Sequence, residues 1–267
     1  MNIILNADDF GESESVNRTI LELHQRGIVS STTIIAKSKH FDMAVKIAKD
    51  NPRLGVGVHL CLDGPFNIGK NYQTILKDNT RKFFNKYSII NKLKKFAVNG
   101  NEIYREYCLQ IEKVLDSGIH ISHLDHHHHL YLYLPALNAM IKACRKFKIK
   151  FIRSQRIILH QNGNLINRLY RYLHQYYVKK RGLHAIDGYF EPGILHESKF
   201  DKYYNRLRSL FEMNCKTVEL VLHPKNMNDP ETKFFTSKKV LHLLNNHNII
   251  NYFDLKNIYN ETTDTEF

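Results

Sequence analysis

Short apolar runs alternate with amphipathic segments of helical period along almost the whole chain. Several runs are rich in Val and Ile, as expected of strands buried on both faces of a parallel sheet. Alternating strands and helices predict an α/β fold, and about seven strands in this length predict a (β/α) barrel that need not be complete. The predicted strands cover residues 3–7, 28–36, 54–62, 120–125, 150–153, 217–222 and 249–253. The predicted helices cover residues 13–26, 41–50, 101–116, 134–147, 199–213 and 236–246.

Two stretches depart from this alternation. Residues 63–100 contain a Gly-Pro-Phe turn and many polar positions, and we expect them to form loops over a site. Residues 164–180 form an amphipathic helix with leucines and tyrosines on one side and basic and amide side chains on the other. We expect the apolar side to pack on the protein's own core, although its tyrosines and basic residues also suit a membrane surface or an apolar ligand tail.

Composition predicts one globular domain over residues 1–267, with residues 164–180 as an insert. The chain is 43% hydrophobic and 24% charged, which is typical of globular proteins. Its formal net charge is +13, but Lys and Arg are spread along the chain apart from short clusters, so we expect no nucleic-acid partner. No run approaches the ~18 apolar residues of a transmembrane helix.

The four cysteines are dispersed and the N-terminus lacks a basic n-region. This pattern predicts a cytoplasmic protein without a disulfide framework or a signal peptide. Peripheral membrane contact and homodimerisation both stay open at this point.

Acids and histidines follow four of the predicted strands. In an α/β barrel, reactive residues lie at the carboxyl ends of the strands, so these side chains are expected to meet at one rim. The residues at these positions are Asp8 and Asp9, His59, Asp125 and His127, and His223.

These residue types favour a metal-dependent hydrolase. Two adjacent carboxylates can divide labour, because one can bind a cation while the other acts as a base. Two histidines and a carboxylate leave coordination positions open for water and substrate, and an ion so held polarises a carbonyl group. His223 is then suited to protonate a leaving amine. Taken singly, each motif has an ordinary alternative: an acidic helix start, a satisfied core histidine, or a structural histidine before a proline.

Several motifs occur in an order that resembles a known family. They are Asn6-Ala7-Asp8-Asp9-Phe10-Gly11, Gly27-Ile28-Val29-Ser30-Ser31-Thr32-Thr33, Gly57-Val58-His59-Leu60, His123-Leu124-Asp125 with His127, and Leu222-His223-Pro224. Together they resemble the YdjC-like carbohydrate deacetylase family, which includes chitooligosaccharide deacetylases and hopanoid-associated glycolipid deacetylases. The likeness extends from residue 2 to about residue 255.

The resemblance implies a (β/α) barrel of the glycoside hydrolase/deacetylase type that holds one divalent metal ion. Asp9, His59 and His127 match the family's ligand positions. By the same matching, the catalytic base is Asp8, the acid is His223, and the arginine that orients the base is Arg153. The mixed nitrogen and oxygen ligands suit zinc, and the open site also admits magnesium.

Five of the 16 histidines lie between residues 123 and 129. If this segment is a strand, His123, Asp125, His127 and His129 share one face. We expect His127 alone to bind the metal, with support from Asp125. We expect His123 and His129 to line the pocket, and the remaining two histidines of the run to be bystanders.

Three features differ from the family's usual pattern. His126 stands where Ser or Ala is frequent, Tyr131 where a further histidine is common, and one residue is added before Pro135. These differences concern the outer substrate contacts. The 164–180 insert and the stretch at 187–193 resemble the glycolipid-associated branch more than the chitooligosaccharide branch.

The resulting hypothesis is hydrolysis of an N-acetyl group on a sugar, either an oligosaccharide or a glycolipid, with release of acetate. A second hypothesis is another metal-dependent esterase or a phosphoesterase with the same site. A third is a basic lipid- or nucleic-acid-binding module without turnover.

Overall fold

A computed structural model describes residues 1–77, 82–153, 157–158, 165–193 and 195–260. The described strands are β1 Asn2–Phe10, β2 Ser31–Ile34, β3 Gly55–Leu60, β4 Leu124–His126, β5 Ile157–Ile158, β6 Gly188–Phe190, β7 Thr217–Leu222 and β8 Asn248–Ile249. The described α-helices are α1 Glu14–Gln25, α2 Phe41–Asp50, α3 Lys86–Lys94, α4 Gly100–Asp116, α5 Leu134–Phe147, α6 Leu165–Lys179, α7 Phe200–Phe211, α8 Pro230–Thr236, α9 Lys238–Leu244 and α10 Leu255–Asn260.

The strands form one parallel sheet in the order β4-β3-β2-β1-β7-β6-β5, and β8 also pairs with β1. A short segment at residues 150–153 connects the two sides of the sheet. Arg153 N donates to Leu124 O at 2.9 Å, and His184 N donates to Lys150 O at 2.8 Å, just before β6. The expected α/β barrel is therefore confirmed, and its closure relies on isolated bridges rather than a regular strand.

The alternation along β1 explains why polar groups occupy the barrel interior. Ile3, Leu5 and Ala7 belong to the large core that packs against the helices. Ile4 lies on the opposite face, in a small cluster with Tyr252 at the end where β1 begins. This alternation places Asn6 and Asp8 on the interior face, and both are buried.

Most elements lie where the apolar pattern predicts them. The helices at 41–50 and 134–147 and the strand at 217–222 have the predicted bounds. Five elements were not predicted: β5, β6, α3, α8 and α10. Residues 63–100 thus contain a helix in addition to loops, and residues 78–81 lie outside the described part of this stretch.

The amphipathic segment is a helix, α6. Of the five described side chains on its apolar side, Tyr177 packs against the core as predicted, and the prediction is wrong for the other four. Leu169, Tyr172, Leu173 and Tyr176 are between 49% and 57% exposed. His174 and Gln175 are buried instead, because His174 Nε2 bonds the carbonyl of residue 131 and Gln175 Nε2 donates to that of residue 186. Residue 164 and the side chains at 165–168 and 170 lie outside the described part.

Within the described residues, no helix combines the length and the apolar character needed to cross a membrane.

Candidate active site

Asp8 and Asp9 both reach the carboxyl end of the barrel because β1 is irregular there. Regular alternation would direct two consecutive side chains to opposite faces. Between Ala7 and Phe10, β1 advances three residues while β2 advances two. At this bulge Asp9 has φ 65°, a conformation uncommon for a residue other than glycine. As a result Asp9 Oδ1 lies 3.4 Å from Nε2 of His59.

Two histidines line the same cavity as this carboxylate, and a second carboxylate holds each of them. His59 Nδ1 donates to Asp125 Oδ1 at 2.7 Å, and His127 Nδ1 donates to Asp63 Oδ1 at 2.7 Å. Such bonds set the ring orientation and leave Nε2 available to a metal. The two ring centroids are 5.6 Å apart.

The potential at this point is strongly negative. His59 is 2% exposed, and burial alone would lower its pKa. The carboxylates of Asp125, Asp8 and Asp9 outweigh burial and raise the pKa of His59 to about 9. A divalent cation is therefore expected to displace a proton when it binds here.

These residues fit a divalent metal ion. Asp9 Oδ1 is buried and has no hydrogen-bond partner among the described residues, although buried polar atoms are normally satisfied. It lies beside Nε2 of His59, whose ring neighbours that of His127. One carboxylate and two imidazoles could serve as three ligands and keep coordination positions open.

Two tighter groups of donor atoms, each within 4.8 Å, are less suited to the ion: Asp63 with His127 and His128, and Asp8 with His59 and Asp125. In the first group, the carboxylate already accepts Nδ1–H bonds from both imidazoles at 2.7 Å. In the second, the guanidinium of Arg153 already binds both carboxylates.

Arg153 is fully buried below the two aspartates. Two of its nitrogens donate to the two oxygens of Asp8 at 2.7 Å each, and the same side chain lies 2.8 Å from Asp125 Oδ2. Burial alone would raise the pKa of Asp8, but the charge and hydrogen bonds of Arg153 hold it well below its usual range. Asp8 therefore stays ionised, and the bidentate contact fixes its orientation.

Glu219, on β7, is the third carboxylate on this guanidinium, at 2.9 and 3.0 Å. Burial raises the pKa of Glu219 to about 7 even though Arg153 acts to lower it. Asp8, Asp125 and Glu219 thus surround the buried guanidinium of Arg153. This ion cluster can accommodate a protonated Glu219 near neutral pH.

His223 follows β7 and faces Asp8. Its Nε2 lies 3.5 Å from Asp8 Oδ2, and Glu231 Oε1 accepts from its backbone N at 3.0 Å and lies 3.4 Å from its Nδ1. Burial lowers the pKa of His223, but the charges of Glu231, Asp8 and Glu191 raise it well above its usual value. The surrounding carboxylates therefore favour the protonated form of the imidazole.

The histidine run departs from a strand after His126. Residues His127–Leu132 form a 3-10 turn in which His128 and His129 have φ of 56° and 54°. The alternating arrangement expected for the run is therefore wrong beyond β4. His129 Nε2 bonds Glu191 Oε2 at 2.8 Å.

His123 does not line the cavity, contrary to expectation. It is fully buried, its ring stacks on Tyr252 with centroids 3.6 Å apart, and its Nδ1 bonds Ser122 Oγ at 2.8 Å. Gly57 makes room for it, because a Cβ there would lie 2.5 Å from the His123 ring.

A cavity of 520 Å³ opens above these groups, within the ~300–1,000 Å³ of small-molecule sites. His126 and His128, expected to be bystanders, both line it. Lys86 and Lys225 contribute ammonium groups, and Leu195 contributes an apolar wall. The remaining lining residues are Asp8, Asp9, His59, His127, His129, Glu191, Gly193, His223, Asp229, Pro230 and Glu231.

Several acids of the site were not predicted from the sequence, among them Asp63, Glu191 and Glu231. Asp63 directly follows the strand predicted at 54–62, so the strand-end rule already indicates it. Glu191 follows β6, and the rule indicates it only once that strand is known. Glu231 lies in the first turn of the short helix α8. Nothing in the sequence pattern connects it to His223.

Residues 2–249 match the profile of a family described as YdjC-like protein. The chain belongs to the YdjC-like family. Two relatives are named carbohydrate deacetylase. The chain is 47% identical to one from Listeria monocytogenes serotype 4b over 128 residues, which cover 48% of this chain and 51% of the relative. The match thus spans about half the length of that relative. A second, from Clostridium beijerinckii, is 30% identical over 265 residues and 97% of both chains.

Solved structures show the same fold. A protein from Enterococcus faecalis V583, provisionally described as a cellobiose-phosphate cleavage protein, has a TM-score of 0.74 at 23% identity and covers 95% of this chain and 98% of its own. The lactam utilization protein from Thermus thermophilus has a TM-score of 0.54 at 17% identity, with 94% and 99% coverage.

Proposed function

We propose that this chain is a metal-dependent hydrolase that removes the N-acetyl group of an N-acetylated sugar and releases acetate. One observation carries the proposal: Asp8 and His223 line the same cavity as the three side chains that we assign to the metal, those of Asp9, His59 and His127. The relatives named carbohydrate deacetylase support the choice of substrate class.

Asp9, His59 and His127 would hold the ion. A divalent ion supplies Lewis-acid polarisation of the acetyl carbonyl and makes water a stronger acid. Zinc and magnesium are the ions we favour for these mixed ligands. Asp63 and Asp125 orient the two imidazoles through their Nδ1 atoms.

Asp8 accepts the proton of the attacking water. Arg153 keeps it ionised and fixes its orientation, so the group is ready as a base across the neutral range. Because Asp8 Oδ2 lies 3.5 Å from His223 Nε2, both proton transfers occur within one small space.

His223 donates a proton to the departing nitrogen. An amine leaves a tetrahedral intermediate readily only when protonated, and the imidazolium of His223 lines the same cavity as Asp8, with its Nε2 3.5 Å from Asp8 Oδ2. Glu231 keeps that imidazolium charged and orients its ring. We assign His129, together with Glu191, to contact with the sugar.

A second candidate is action on a phosphorylated sugar, either by deacetylation or by phosphate release. Lys86 and Lys225 line the cavity and suit an anionic group. The Enterococcus faecalis protein of the same fold is described in terms of a sugar phosphate. Acetate and phosphate release, measured on the same substrates with and without a phosphate group, distinguish these activities.

The direct test compares acetate release from N-acetylglucosamine oligosaccharides and from an N-acetylated glycolipid. The wild-type chain is expected to release acetate from at least one of them and to stop after chelation. Full activity of a metal-free His59→Ala, His127→Ala double variant would overturn the mechanism.

We also propose a cytoplasmic setting, because all four cysteines are buried and none of them forms a disulfide bond.

A further inference from the structure

The exposed face of α6 carries a continuous apolar stripe. Leu169, Tyr172, Leu173 and Tyr176 follow one another at intervals of three, one and three residues, which places them on one side of a helix. Each is about half exposed. Single apolar side chains are common on protein surfaces, but a contiguous group of them such as this stripe marks an interaction site.

The stripe is exposed because the opposite side of α6 is fully engaged. Val178 is completely buried, and the polar groups of His174 and Gln175 bond carbonyls of the neighbouring chain. Rotating the helix to bury the stripe would leave these groups unpaired. The outward orientation is therefore a property of the packed fold.

The stripe lies in the part of the sequence that carries nearly all of the net charge. Residues 126–186 contain 12 of the 39 Lys and Arg and none of the 26 Asp and Glu, which leaves 27 basic and 26 acidic residues elsewhere. Lys and Arg occur along the whole chain, but the net charge is concentrated in this segment because it contains no acid. Basic side chains flank the stripe at its carboxyl end: Lys179 and Lys180 are exposed, as is Arg145 of α5.

Several contacts connect the stripe with the basic residues at its carboxyl end. Lys180 Nζ lies 5.1 Å from the centroid of the Tyr176 ring. Arg145 donates to the carbonyl of Arg181 at 3.5 Å, and Tyr177 donates to Asn138 on α5. The carboxyl ends of α5 and α6 thus present apolar, aromatic and cationic groups on one surface.

We propose that α6 docks this protein on an anionic lipid surface. Leucines that enter the acyl boundary, tyrosines at headgroup level and lysines beside phosphates are the arrangement of an interfacial helix. A second copy of the chain fits less well, because pairing two α6 faces would bring together segments that contain no acid. An RNA partner would use the cations and tyrosines but gain little from the leucines.

The docking surface lies directly behind the turn that carries the cavity histidines. His174, on the buried side of α6, bonds the carbonyl of Tyr131, and the Tyr131 ring lies 6.1 Å from that of His129. The lipid surface would therefore lie about one helix diameter, ~10 Å, from this turn. The docking does not depend on the proposed reaction, and its test needs no turnover.

Vesicle flotation with the full chain tests the docking. Binding is expected to vesicles of phosphatidylcholine with phosphatidylglycerol, to be weak with phosphatidylcholine alone, and to fall as salt is added. Lys179→Gln with Lys180→Gln should weaken binding roughly 30-fold, since each charge near such a surface contributes about one factor of five. Leu169→Gln with Leu173→Gln should weaken it about tenfold or more.

Matched controls come from the same chain. Lys94→Gln with Lys95→Gln removes two exposed charges outside the basic segment, and Leu109→Gln with Leu115→Gln alters two exposed leucines of α4. Both controls should bind vesicles as the wild type does. Equal losses in the controls and the α6 variants would overturn the proposal.

A fluorescent reporter keeps the test valid if an α6 variant folds poorly. The chain has no tryptophan, so Tyr172→Trp provides a single reporter on the stripe and Tyr87→Trp one on α3. Brominated lipid should quench the first and not the second. Failure to quench Trp at position 172, or binding to RNA that exceeds binding to anionic vesicles, would contradict lipid docking.

Discussion

The two histidines of the candidate metal centre are held in different ways. His59 lies inside strand β3, is 2% exposed, and bonds Asp125, which also binds the buried Arg153. His127 begins an irregular turn, is 21% exposed, and shares Asp63 with a neighbouring histidine. We call His59 with its partner Asp125 the interior arm of the centre, because both lie inside the barrel. We call His127 with its partner Asp63 the rim arm, because His127 lies in the turn at the edge of the barrel.

The two arms should therefore differ in how much a mutation in each of them destabilises the fold. The interior arm joins four strands (β1, β3, β4 and β7) through one ion cluster, so a change there disturbs the fold as well as the site. The rim arm depends on a loop carboxylate and a turn, so it can change with smaller consequences for the rest of the molecule. The following predictions test this contrast.

The largest effect is expected from loss of either imidazole. His59→Ala and His127→Ala should each abolish metal binding at stoichiometric metal and acetate release with it, because two ligands remain. His59→Ala should also lower the free energy of unfolding by roughly 1–3 kcal/mol, whereas His127→Ala should change it by about 0.5 kcal/mol or less. Metal titration and chemical denaturation measure both quantities. Equal destabilisation by the two variants would refute the contrast.

The next largest effect concerns the supporting carboxylates. Asp125→Asn should weaken metal binding by roughly 10–100-fold and destabilise the fold by about 3 kcal/mol, because Arg153 loses one of its buried partners. Asp63→Asn should weaken metal binding about tenfold with little loss of stability. Calorimetric metal titration and urea unfolding test this pair, and a larger stability loss in Asp63→Asn would contradict the account.

The sequence predicts the interior arm better than the rim arm, because the interior arm lies on regular strands and the rim arm lies in an irregular turn. Period-two and helical patterns locate β1, β3 and β7, and the strand-end rule then places Asp8, His59 and His223 at one rim. The β-bulge at Asp9 and the left-handed backbone conformation after His126 are local features that the pattern of apolar residues does not indicate, so the sequence did not predict them. The exposure of α6 was also missed, because its buried side is polar and satisfied by hydrogen bonds to the chain beside it.

A smaller effect is expected on the pH profile. The acid His223 must be protonated, so activity should fall as pH rises through its pKa. Burial lowers this pKa, and Glu231 makes the largest contribution to raising it above the usual value. Glu231→Gln should therefore move the alkaline limb of kcat to lower pH. If the alkaline limb of kcat does not move in Glu231→Gln, His223 is not the acid. Glu197→Gln, on the surface, serves as the control.

The smallest effect is expected at His128. It bonds one oxygen of Asp63 while His127 bonds the other, so its loss leaves the rim arm intact. His128→Asn, which tolerates the positive φ of 56°, should lower kcat/KM less than about tenfold. A loss as large as that of His127→Ala would make His128 a member of the metal set.

The most direct test measures bound metal and acetate release together. Wild-type chain, chelated chain, and chelated chain with zinc or magnesium restored are compared with the variant Asp9→Asn. The account predicts one ion per chain, activity that returns in proportion to bound metal, and neither bound metal nor activity in Asp9→Asn. Undiminished acetate release by the chelated wild-type chain would contradict it.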